Sequence, residues 1–141
     1  MGAKDYLISS TLSGVVAQRL VRKLCPNCKE EYYPTEEEVR MITQKPEEIE
    51  KLMHTQLYRP KGCPNCKNTG YLGRLAVLEI LVVNKEIRKM ISQHAHDVDI
   101  EEYAVREQGM NTLSMACMKH ILEGNTSIEE RVRILGLASE E

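Results

Sequence analysis

The chain has 141 residues, 42% hydrophobic and 28% charged, with a formal charge of −2 and a pI near 6.1. That length suits one domain, or one core with a small appendage. The slightly acidic balance argues against a dedicated nucleic-acid binder, and no stretch approaches the roughly 18 apolar residues of a membrane-spanning helix.

Six Tyr are the sole aromatics, so the core must be aliphatic and Met-filled. Met1 to Tyr6 lack the basic-then-apolar layout of a secretory signal. That points to the cytosol, where paired cysteines more often bind metal or catalyse than form disulfides.

In chain order, Ser9 to Leu24 reads as an amphipathic helix. Leu12, Val16, Leu20 and Leu24 recur every four residues beside Val15, with Gln18, Arg19, Arg22 and Lys23 on another face. It runs directly into Cys25. Thr35 and Glu38 form a capping-box pattern, and Pro46 suits a first helical position ahead of Ile49, Leu52 and Met53. Leu75 to Val83 is short and aliphatic, which predicts a buried strand.

Asn84 caps a helix carrying Ile87, Met90 and Ile91. Asp97 or Asp99 caps the next helix, which Gly109 stops. Leu113, Ala116, Cys117, His120 and Ile121 then share one helical face up to Gly124, and Ser127 with Glu130 opens a last helix.

The one internal echo is Cys-Pro-Asn-Cys-Lys, at 25–29 and again at 63–67. Each two-residue gap lets both sulfurs face one ion on a tight turn, with Pro26 and Pro64 presetting φ. Cys25, Cys28, Cys63 and Cys66 therefore read as the ligands of one structural Zn2+ ion. Four soft anionic sulfurs suit zinc, at about 2.3 Å, and such sites contribute on the order of 10–16 kcal/mol of folding energy. The charged spacer, Lys29 to Gly62, does not weaken this, since closing a longer loop adds only about 0.6 kcal/mol per doubling. Iron, a redox dithiol and disulfides are the competing readings.

Cys117 reads as a small buried hydrophobe. His54 could replace a Cys ligand, His94 and His96 read as exposed, and His120 as packing or capping. The sequence holds no G-x-x-x-x-G-K-[ST], no G-x-G-x-x-G and no H-E-x-x-H. A closed four-sulfur site keeps no open position for water or substrate. No catalytic residue is expected.

The run from Leu7 to Cys25, including Gly14-Val15-Val16-Ala17-Gln18-Arg19-Leu20, resembles the type II secretion and type IV pilus assembly ATPases, the GspE/PilB-like family. Gly70-Tyr71-Leu72-Gly73-Arg74 with the following aliphatic run and Glu79 continues the similarity. So do Gly109 to Leu113 and Glu123-Gly124-Asn125-Thr126-Ser127-Ile128-Glu129-Glu130.

The resemblance implies a C-terminal fragment. Residues 1–24 would lead from the ATPase core, 25–70 would form a tetracysteine zinc-binding subdomain, and 71–141 a C-terminal helical subdomain. The fold would be mainly α with a short β element. The family's nucleotide-binding motifs precede the equivalent of residue 1, so the chain itself is not expected to be an enzyme. ATP and Mg2+ would belong to the full-length parent alone.

That parent would be a cytoplasmic hexamer, peripheral at the inner membrane, using ATP to drive pilin or pseudopilin assembly. Its partners would be an inner-membrane platform protein (GspF/PilC-like) and neighbouring ATPase subunits, with no nucleic acid. The same cysteines match the family's zinc ligands, and Arg74 sits in a recurring position without an assigned role. The alternative is a free-standing zinc-ribbon module binding nucleic acid or protein. Arg19, Arg22, Lys23, Lys29, Lys61 and Lys67 would make its knuckles basic.

Overall fold

The computed structural model describes residues 14–137. In chain order these form β1 (Gly14–Leu24), β2 (Glu30–Tyr32), α1 (Glu36–Arg40), α2 (Pro46–Met53), β3 (Leu57–Arg59), a 3-10 turn (Pro64–Cys66) and β4 (Tyr71–Val82). There follow α3 (Lys85–Ser92), α4 (Asp97–Gln108), α5 (Leu113–Leu122) and α6 (Ile128–Leu135). β1 pairs with β4 and β2 with β3, giving two small antiparallel sheets.

With 44% helix and 23% strand, the expectation of a mainly α fold with a short β element is overturned. The fold is α+β. The largest correction is the leading segment. Residues 9–13 lie outside the described residues, and Gly14–Leu24 is an eleven-residue strand, not a helix.

The physical reason lies in the spacing. A step of four residues is also a multiple of two, so Val16, Leu20 and Leu24 satisfy strand alternation as well as helical periodicity. The β-branched Val15, Val16 and Val21 then favour the pleated form. Val21 and Leu24 are the buried residues of β1, whereas Val16 is 63% exposed and Leu20 45%. β4 appears where a strand was expected, but it is not fully buried. Val77 is inside while Leu78, Ile80 and Val82 face outward.

The helix starts follow their local chemistry. Thr35 and Glu38 make the reciprocal capping box of α1, and Pro46 opens α2, which buries Ile49 and Leu52. The Asn84 side chain accepts the Ile87 amide. His96 occupies the N-cap of α4, in place of Asp97 or Asp99. Gly109 ends α4 in the left-handed conformation.

The strands β2 and β3 are not announced by the sequence, because three residues are too few to show a period. Glu30 lies opposite Arg59, Glu31 opposite Tyr58 and Tyr32 opposite Leu57.

The chain divides into two compact units. One gathers, among the described residues, 14–18 with Leu78–Leu113. Its core is Val83, Ile87 and Ile91, packed by Leu81, Met90, Ile100 and Tyr103. The other gathers Arg19–Val77 with residues 114–137, and it carries all four paired cysteines. Val39, Ile42, Ile49, Leu52 and Leu57 are buried in its spacer, and Cys117, Ile121 and Ile128 in its helices.

Candidate metal centre

The two Cys-Pro-Asn-Cys units fold as similar tight turns. In the first, the Cys28 and Lys29 amides donate to the Cys25 carbonyl at 3.3 and 3.0 Å. In the second, the Cys66 and Asn68 amides donate to the Cys63 carbonyl at 3.2 and 2.8 Å. Lys67 and Asn68 follow in left-handed backbone, φ 58° and 64°. That reversal brings the chain back past its own sulfurs.

The four sulfurs lie within 4.8 Å of one another. Cys25–Cys63, Cys28–Cys66 and Cys63–Cys66 are each 3.8 Å apart. A tetrahedron with bonds of about 2.3 Å has edges of about 3.8 Å, so the spacing fits a single tetrahedral ion bound by thiolates. All five cysteines of the chain are free thiols.

Backbone donors surround the sulfurs. The Gly62 amide donates to Cys28 Sγ at 3.3 Å, and the Cys63 and Gly70 amides to Cys66 Sγ at 3.3 and 3.1 Å. Burial by itself pushes the Cys66 thiol up. The Cys63 and Gly70 amides and the neighbouring thiols outweigh it and bring Cys66 to about 6. At Cys25 too, burial raises and hydrogen bonds prevail, so that thiol is lowered. Burial keeps Cys28 up, at about 11. Such a cluster, part thiolate and part thiol, is suited to a cation that displaces the remaining protons.

Among the described residues these four cysteines are the group placed to hold a metal ion. His54 instead faces Glu50 at 3.1 Å on the exposed side of α2. His120 meets Asn125 at 3.2 Å. Cys117 is fully buried, and burial, partly countered by Arg131, pushes its thiol up to about 11. This matches a packing role.

No local pattern in the sequence announces what lies behind the knuckles. Glu130 is 0% exposed and accepts the Arg22 amide at 2.7 Å and the Arg22 guanidinium at 3.0 and 2.8 Å. The Arg133 guanidinium adds bonds of 2.9 and 2.8 Å. Burial opposes the charge, but Arg133 and Arg22 hold the carboxyl down at about 2. The Ser127-x-x-Glu130 spacing signals a capping box. Ser127 does cap α6, while the Glu130 carboxylate is spent on the two arginines.

Four thiols closed around one point, on two knuckles of an α+β scaffold, define a tetracysteine protein. The sequence as a whole matches the family described as Type II/IV secretion system protein over residues 1–133. The chain belongs to that family, as its motif series implied.

It is 36% identical over 137 residues to the type IV pilus assembly ATPase TfpB of Acinetobacter baylyi, covering 97% of this chain and 23% of that protein. It is 36% identical over 140 residues to the type II secretion system ATPase E of Vibrio cholerae, covering 95% and 25%. With the type IV pilus assembly ATPase PilB of Thermus thermophilus it shares 41% over 130 residues, covering 92% and 14%. The chain thus spans a quarter or less of each of these relatives. No helix among the described residues is long and apolar enough to cross a membrane.

Proposed function

We propose that this chain is the zinc-holding part of a motor ATPase that powers type II secretion or type IV pilus assembly. Cys25, Cys28, Cys63 and Cys66 would hold one structural zinc ion. The observation that carries this reading is the 3.8 Å spacing of sulfurs drawn from both knuckles. The donor set is all sulfur, which favours zinc over harder cations, and a site closed by four ligands leaves no position for substrate.

The role is therefore mechanical. The whole motor would bind ATP and Mg2+ through residues outside this chain, upstream of residue 1 in the motif order the resemblance supplies. Within a hexamer at the cytoplasmic side of the inner membrane, the metal-pinned corner would contact a GspF/PilC-like platform protein or the neighbouring subunit.

Elemental analysis of gently purified chain tests the metal. The expected result is one zinc per chain, withdrawn by chelator with a fall in melting temperature. Material that is folded and metal-free overturns the reading. For the partner, the whole motor with Cys63→Ser and Cys66→Ser should lose co-purification with the platform protein while keeping nucleotide binding.

A further inference from the structure

We infer that Glu130 is a positioning residue for the metal centre: it holds the segments that deliver the two cysteine pairs at the spacing an ion needs, before any ion arrives. This rests on the reading of the four thiols as a zinc site.

The Glu130 carboxylate grips Arg22 through both its amide and its guanidinium. The same guanidinium lies 4.1 Å over the Tyr71 ring. The Tyr71 hydroxyl and Ser127 Oγ share a hydrogen bond of 2.7 Å, and Ser127 Oγ accepts the Glu130 amide at 3.2 Å. Glu130, Arg22, Tyr71 and Ser127 thus form a closed ring.

Two of its members sit at the bases of the knuckles. Arg22 is three residues ahead of Cys25 on β1. Tyr71 follows Gly70, whose amide donates to Cys66 Sγ and whose carbonyl accepts the Cys25 amide at 2.9 Å. The segment ahead of α6 adds further bonds. Thr126 Oγ1 donates to the Arg22 carbonyl at 2.8 Å, and the Leu24 amide donates to the Asn125 carbonyl at 2.9 Å.

The end of β1 is therefore fastened to α6 and its leading turn at residues 22 and 24, immediately before the first ligand. Groups that orient a metal's ligands without touching the metal commonly set its affinity by one to two orders of magnitude. A carboxylate with no exposed surface and five donated hydrogen bonds is built for such a task.

The test uses the full chain as wild type, Glu130→Gln and Arg22→Met, with zinc affinity measured by competition against a chromophoric chelator. The expected loss is about 10- to 100-fold for Glu130→Gln and a smaller loss for Arg22→Met. The Co2+-loaded absorption bands at saturation should stay unchanged, because all four thiolates remain. Glu130→Asp should restore part of the affinity. In metal-free protein, the Cys25 amide should exchange faster in Glu130→Gln than in wild type, while the Ile87 amide keeps its rate.

Affinity equal to wild type in Glu130→Gln overturns the proposal, as does unchanged exchange at Cys25. If Glu130→Gln does not fold, Arg22→Met carries the test, since that side chain is about half exposed, and unchanged affinity there is equally fatal. A wild-type chain that takes up no zinc overturns both this inference and the metal reading. Zinc uptake with indifferent variants overturns this inference alone.

Discussion

The Gly70 amide donates to the sulfur of Cys66 at 3.1 Å, from a residue with φ +82°. A side chain at this position would be strained in that backbone region, and its Cβ would overlap the Pro60 ring. Gly70→Ala should therefore cost roughly 1–3 kcal/mol or more. Thermal unfolding with and without chelator checks it, and the variant should show a smaller difference between the two curves.

The cysteines should separate into two classes. Cys66→Ser should reduce zinc uptake below one per chain, because a neutral hydroxyl replaces a thiolate. Cys117→Ser should leave uptake intact and lower stability by about 1–3 kcal/mol, the cost of placing a hydroxyl in a fully buried site. Metal content and unfolding midpoint, measured on both variants, distinguish a ligand from a packing residue.

Acid should act on Glu130 in a defined window. The folded carboxyl is held at about 2 against an ordinary 4.5. A depressed carboxyl stabilises the fold above its unfolded value, and that contribution disappears as pH falls through the folded value. The charged groups facing it are Arg22 and Arg133, with the Tyr71 ring behind Arg22. In metal-free protein, the pH-dependent part of the wild-type advantage over Glu130→Gln should be on the order of 3 kcal/mol at neutral pH. It should shrink between about pH 4.5 and pH 2. Denaturant melts at successive pH values measure this, and a constant advantage down to pH 2 would contradict it.

In the other unit, Ile87 is fully buried with Val83 and Ile91. Ile87→Ala should cost about 2–5 kcal/mol through lost burial and a residual cavity. Zinc content should be unaffected. Chemical denaturation followed by metal analysis reads both.

Signals that act over a few residues were legible in the sequence. The box at Thr35, the Ser127 and Asn84 caps and the Gly109 stop all rest on neighbours three or four positions apart, and each appears in the structure, whereas the reciprocal half of a box at Ser127 does not form because the Glu130 carboxylate binds Arg22 and Arg133. The pairing of the two Cys-Pro-Asn-Cys turns was legible for the same reason, since two local motifs needed only one shared point.

Partners distant in the chain were not legible. Arg22 meets Glu130 across more than a hundred positions, and no local pattern announces that. β1 is ambiguous in sequence because its apolar residues satisfy two periods, and a partner strand decides between them. β4 then supplied that partner. The outward Leu78, Ile80 and Val82 are not legible, because a run of aliphatic residues does not say which of its two faces is covered.

Tyr32 stands opposite Leu57 in the two-stranded ladder at the foot of the spacer. The polypeptide therefore departs and comes home at adjoining points, having made a closed detour of two short helices. Lengthening the chain beside the exposed Lys45 would alter the detour without shifting its gateposts. A fluorescent tag or an inserted epitope at the exposed Lys45 should be hosted there without disturbing the sulfurs.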